Sequence, residues 1–141
     1  MSNNKDFKVK NGIQPTVYQE GVGTVVSAVE AYSLAAASYD SVSFSVASQD
    51  GTPYSLRFNN SGTKMFVFGA TESVYQYSLS TAFDISTASY DSVSFSVTSQ
   101  DADPIDIVFN TDGTKMYMVG YQTDKVHQYS LSTAFDISTL S

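Results

Sequence analysis

Few of the side chains in this 141-residue chain can do chemistry. Cysteine is absent, which removes disulfides, thiolate nucleophiles and Cys-zinc centres together. His127 is the single histidine, set in "VHQY" (126–129). A general base must be held against the group it deprotonates. An earlier stretch, "VYQY" (74–77), reproduces the setting with Tyr75 in place of His127, so the position reads as packing or surface. The densest carboxylates lie in "DADP" (101–104), with Asp106 and Asp112 close behind. Clustered carboxylates suit hard cations such as calcium. The matching earlier stretch reads "DGTP", with Ser55 and Ser61 in place of Asp106 and Asp112. A calcium site would therefore be confined to one half of the chain, and solvated turn carboxylates are the simpler reading. No Ser-His-Asp set exists that both halves support. The expectation is a non-enzymatic protein without catalytic residues, metal ligands or cofactor.

Those comparisons are possible because the chain is written twice. "YSLSTAFDIST" stands at 77–87 and again at 129–139. "ASYDSVSFSV" stands at 37–46 and at 88–97, and across 37–69 against 88–120 identity is 21 of 33 positions. One residue is inserted near "GYQTDK", so the offset changes from 51 to 52. Internal repetition on this scale marks a duplicated structural unit. The repeats run about 37–87 and 88–139, and residues 1–36 stand outside them.

Each repeat has the period of strands. In "DSVSFSV", Val42, Phe44 and Val46 face one way and the serines the other. "PYSLRFN" sets Tyr54, Leu56 and Phe58 on one face. "TKMFVFG" is apolar on both faces, and a strand of that kind needs neighbours above and below. "SVYQYSL" completes the unit. "NNSGT" (59–63) and "NTDGT" (110–114) supply turn chemistry, since glycine accepts positive φ. The second copy repeats every feature, and the expectation is an all-β chain of eight strands in two units of four. A period near fifty with four strands fits a β-propeller blade.

Composition narrows the partners. Lys and Arg total 7 against 14 Asp and Glu, a net charge of -7. Lys5, Lys8 and Lys10 lie in the first ten residues, so the repeats are more acidic still. Such a surface repels phosphate backbones, and nucleic-acid binding is not expected. No apolar run approaches the roughly 20 residues of a membrane span, so membrane insertion is not expected. "MSNNKDFKVKNGIQP" carries no apolar signal region. Either the chain reaches the outside on a particle such as a virion, or a signal was removed. "DFKVKNG" reads as strand and turn, within an N-terminal attachment arm of residues 1–36.

The run Pro, apolar, Phe-Asn-x-x-Gly-Thr-Lys-Met-Tyr/Phe-x-x-Gly, followed by Val-x-Gln-Tyr-x-Leu, resembles the YVTN/NHL-like class of β-propeller repeat. It is most similar to the variety found in tail-fibre and structural proteins of marine bacteriophages. The opening "KDFKVKNGI" (5–13) resembles the N-terminal segment of fibre proteins from cyanophages and related phages. The resemblance implies a virion location and a structural or attachment role. It implies that 53–58 is the innermost strand and "SYDSVSFSV" the outermost. Residues 53–97 then hold a complete blade, whereas 104–131 hold three strands and lack the outer one, which stands at 38–46.

Two blades cannot close a ring, which takes about 4–8. Three chains would supply six, with strand 38–46 of one chain completing 104–131 of the next. A stretch cut from a longer single-chain propeller is the other reading. Expected partners are further copies in a homotrimer, virion proteins through residues 1–36, and a host surface polysaccharide. Tyr-rich edges can stack on sugars, and a free glycan-binding propeller is the alternative function.

Overall fold

A computed structural model describes residues 37–141, within which Asp40–Ser141 forms one compact unit. The arm expected at 1–36 lies outside the described residues. Strands β1 (Pro53–Phe58), β2 (Lys64–Gly69), β3 (Ser73–Leu79) and β4 (Ala88–Ser96) form one antiparallel sheet in that order. Strands β5 (Pro104–Phe109), β6 (Lys115–Gly120) and β7 (Lys125–Ser130) form a second sheet in the order β5-β6-β7. The described fold is all-β, two sheets of four and three strands, neither closed on itself.

The hairpins follow from the sequence locally. Asn59 N–H donates to the Lys64 carbonyl, and Gly62 N–H to the Asn59 carbonyl. The Asn59 side chain accepts from Lys64 N–H at 3.0 Å, pinning the strand exit. Gly62 turns at φ 69 and Gly113 at φ 72, where a side chain is strained. A Cβ on either glycine would also strike an aromatic ring, Phe83 in the first copy and Phe135 in the second. The duplicated "STAFDIST" is the clasp that carries that ring. Phe83 N–H donates to the Gly62 carbonyl, and Asp84 caps the single 3-10 turn Ile85–Thr87 by accepting from Ser86 N–H. Phe135, Asp136 and Ile137–Thr139 repeat the device.

Backbone exceptions repeat too. Among the described residues, the non-glycine residues at positive φ are Ser41 and Ser92, Glu72 and Asp124, Phe83 and Phe135, three sites each present in both copies. For ordinary residues such angles are uncommon, so their recurrence shows that each copy dictates its own local path.

The core lies between the sheets. Phe66, Phe68 and Val74 of the first sheet meet Ile107, Met116 and Met118 of the second. Phe66 and Phe109 rings sit 4.6 Å apart between centroids. Each large side chain buried this way contributes about 1.5–3 kcal/mol. Arg57 pairs with Asp106 across the same boundary.

Two expectations change. Residues 37–46 belong to no strand among the described residues, so seven strands form rather than eight. β2 is buried on both faces as expected, but on β6 Tyr117 is half-buried and Val119 exposed. The cause is position: β2 has a sheet on its Phe66 side, whereas the equivalent side of β6 has none among the described residues.

Candidate functional site

The carboxylates that suggested a cation site go to separate tasks. Asp101 is buried, not solvated. It accepts from Thr123 Oγ1 and from the N–H groups of Asp103 at 2.8 Å, Thr123 at 2.8 Å and Gln122 at 3.3 Å. The Thr123 hydroxyl, aided by these N–H groups against the opposing effect of burial, holds its pKa down to about 2. Asp50 does the same work in the first copy, accepting from Thr52 N–H at 2.7 Å, Thr71 N–H at 2.9 Å and Thr71 Oγ1 at 2.7 Å. Burial pushes its carboxyl up, but those donors together hold it below the ordinary value. Asp50 pins the loop before β1 to the β2–β3 turn, and Asp101 the loop before β5 to the β6–β7 turn. Gly69 and Gly120 leave room for them, since a Cβ there would lie 2.7 Å or less from the carboxylate. Asp106 is spent on Arg57, and Asp112 accepts from Thr114 within its turn. The structure therefore does not gather Asp101, Asp106 and Asp112 into one site. Among the described residues no group of three His, Asp or Glu side chains could hold a metal ion.

His127 stands on β7 opposite Met118, with Thr123 Oγ1 3.4 Å from Nε2. Tyr75 occupies the matching place opposite Val67. The tyrosines are largely structural. Tyr77 donates to Gln49 Oε1 at 3.2 Å, and burial, with neighbouring Tyr90, Tyr75 and Asp50, pushes its hydroxyl up to about 12. Tyr129 repeats the bond to Gln100 at 3.0 Å.

What the repeats do not reproduce is their ends. Positions buried between the sheets have equivalents on the outer faces that stand open. Phe68 is 0% exposed and its equivalent Val119 41%; Val74 is 0% and Val126 70%; Ile107 is 1% and Leu56 45%. The open face of the first sheet holds an apolar groove of about 290 Å³ lined by Phe44, Val46, Tyr54, Leu56, Met65 and Val67. Its equivalent on the second sheet is the seat that Phe66, Phe68 and Val74 fill. The open face of the second sheet bears Tyr117, Val119 and Val126, the counterparts of those three. One end of the unit thus carries a knob and the other its socket.

A further corner, particular to the second copy, was not singled out from sequence. Asp103, Tyr121, Gln122 and Asp124 line an open depression of about 480 Å³, with Tyr121 largely exposed. The first copy has Thr52 and Ala70 where this one has Asp103 and Tyr121, a difference legible on aligning the repeats. Among the described residues no helix is long and apolar enough to cross a membrane. Comparison with protein-family profiles, curated proteins and solved structures finds no match.

Proposed function

We propose that this chain is a non-enzymatic structural or attachment protein of a phage virion, built from propeller-type repeats that assemble head to tail. The observation that carries the assembly is the knob and socket on opposite faces of the two-sheet unit, each matching one half of the junction already formed within the chain. Two faces that differ make a heterologous contact, which closes into a ring where the rotation allows and otherwise runs on as a filament. Three chains of two blades give six, within the range of closed propellers. In this reading residues 1–36 attach the ring to other virion proteins, and the outer surface faces the host. The virion assignment rests on the likeness of the repeats and of residues 5–13 to phage fibre sequences.

Light scattering on the purified chain tests the assembly: a mass near three times 15.3 kDa is expected. A monomer at micromolar concentration would retire it in favour of a piece of a longer propeller. Immunolabelling of intact particles tests the location.

The Tyr121 corner favours a second reading, a glycan-binding propeller. An exposed aromatic face beside two carboxylates and an amide offers stacking and hydrogen bonding to a sugar. Binding to a panel of surface polysaccharides, lost in Tyr121→Ala, is its expected signature.

A further inference from the structure

The outer edge of β7 carries a polar seat whose natural occupant is present in this sequence but not in this place. Within the first sheet, Asp91 of β4 is held by two groups of the neighbouring β3 and one of β2. Gln76 Nε2 donates to its Oδ2 at 2.9 Å, Ser78 Oγ donates to the same oxygen at 3.0 Å, and Lys64 Nζ lies 3.6 Å away. The second sheet repeats all three donors as Gln128, Ser130 and Lys115. There Lys115 Nζ turns onto Ser130 Oγ at 2.7 Å, and Gln128 is exposed. The carboxylate equivalent to Asp91 is Asp40, which is also exposed.

The segment that carries Asp40 is already shaped for a sheet. Residues 37–46 match 88–97 in every position. Ser41 holds φ 60, the same angle that Ser92 adopts beside Asp91 in β4. Phe44 meets Tyr77 edge to face at 5.7 Å, as Phe95 meets Tyr129 at 5.5 Å. Residues 44–46 therefore lie on the first sheet as the far half of β4 lies on the second. β4 does this while serving as the fourth strand of the preceding sheet. Residues 39–46 hold the matching place with no strand partner among the described residues.

We propose that residues 39–46 of one copy add to the β7 edge of a second copy as its fourth strand, with Asp40 seated among Gln128, Ser130 and Lys115. This deepens the head-to-tail reading above and rests on it. The register follows from β3 and β4: Lys125 opposite Ser45, Val126 opposite Phe44, His127 opposite Ser43, Gln128 opposite Val42 and Tyr129 opposite Tyr39. The positions opposite Leu131 and Ser130 are already held by the chain's own Leu140 and Ser141, so the incoming strand begins at Tyr39. Gln128 gains a second bond. Gln76 Oε1 accepts from Ile137 N–H at 3.1 Å across the intrachain junction, and its counterpart pairs Gln128 with Ile85 N–H of the incoming copy. A charge-assisted set of this kind is worth more than a neutral one and fixes register as well as partner.

The test uses two full-length chains of different tag, one Ser45→Cys and one Lys125→Cys. Both positions are exposed, and the native chain has no cysteine to interfere. On mixing and mild oxidation a mixed-tag disulfide dimer is expected, and Ser43→Cys with Lys125→Cys should yield far less. Light scattering on the same samples reports assembly separately. A monomeric mass overturns the head-to-tail reading itself. An assembled mass without the 45–125 link, or with equal linking from position 43, overturns this register while leaving assembly intact. Asp40→Asn should weaken association about tenfold or more per junction, and an unchanged affinity overturns the carboxylate seat.

Discussion

Asp101 is a carboxylate whose chemistry is set by the donors around it. Its folded pKa lies near 2, below the ordinary value of 3.8, so its ionised form is bound more tightly in the fold than in the unfolded chain. The stabilisation is complete above about pH 4 and is lost as the pH falls toward 2. Asp50 shifts in the same direction and adds to the loss. Thermal melts should therefore be level from pH 7 to 5 and fall steeply below 4; a melt unchanged at pH 2.5 would contradict the pinning role. Asp101→Asn should lower the melting temperature at pH 7, because an amide NH₂ would meet donors where the carboxylate oxygens accept. It should also flatten the acid limb. His127→Tyr is expected to leave both melt and assembly nearly unchanged, since Tyr75 fills the equivalent place in the first copy. The sequence marked Asp101 as turn chemistry, and its bond to Asp103 N–H is of that kind. Its burial was not legible, because that depends on Gly120 and Thr123, some twenty residues on, closing over it.

At the level of strands, the same substitution should have different effects in the two copies. Phe66 on β2 is sealed between the sheets, so Phe66→Asp places an unpaired charge in the core. That costs several kcal/mol against a domain stability of about 5–15, and the chain should fail to fold cooperatively. Tyr117 occupies the equivalent place on β6 but is half-buried at the open face. Tyr117→Asp should therefore leave a folded, soluble chain of strand-type circular dichroism which, in the head-to-tail reading, fails to assemble. Equal unfolding of both variants would show that Tyr117 belongs to the intrachain core. Period-two patterning located β1 to β7, and Asn-x-x-Gly located the turns. Alternation could not say whether a strand-like stretch finds a partner within its own chain. Residues 37–46 and 88–97 are identical, yet only the second pairs here, because β3 lies beside it.

The two-sheet unit as a whole explains why one stretch of sequence recurs. Each "YSLSTAFDIST" ends the third strand of its repeat, β3 or β7, and closes a clasp over the hairpin glycine. The first copy hands on to β4, which completes its sheet and lines the next. After the second, Leu140 and Ser141 pair with Leu131 and Ser130, the places that Ala88 and Ser89 take beside β3. Among the described residues the repeat logic is thus satisfied at the internal junction and open at the two outer faces, and in the head-to-tail reading the eight residues that would satisfy it are 39–46 of another copy. Truncation tests this at the scale where it arises. The fragment 37–141 retains both open faces and the proposed donor segment, so it should reach the same oligomeric state as the full chain; in the virion reading it should lose attachment to the particle. The fragment 47–141 keeps every strand of both sheets, with the outer edge of β7 unpaired and the Met65–Val67 face stripped of Phe44 and Val46. It should fold, show the same sheet content, and remain below the assembled mass at concentrations where 37–141 is complete. Adding a peptide of residues 37–46 should bind it at the β7 edge, and the Asp40→Asn peptide should bind more weakly. If 47–141 assembles as well as 37–141, the donor strand is dispensable, and the knob and socket faces alone must account for the association.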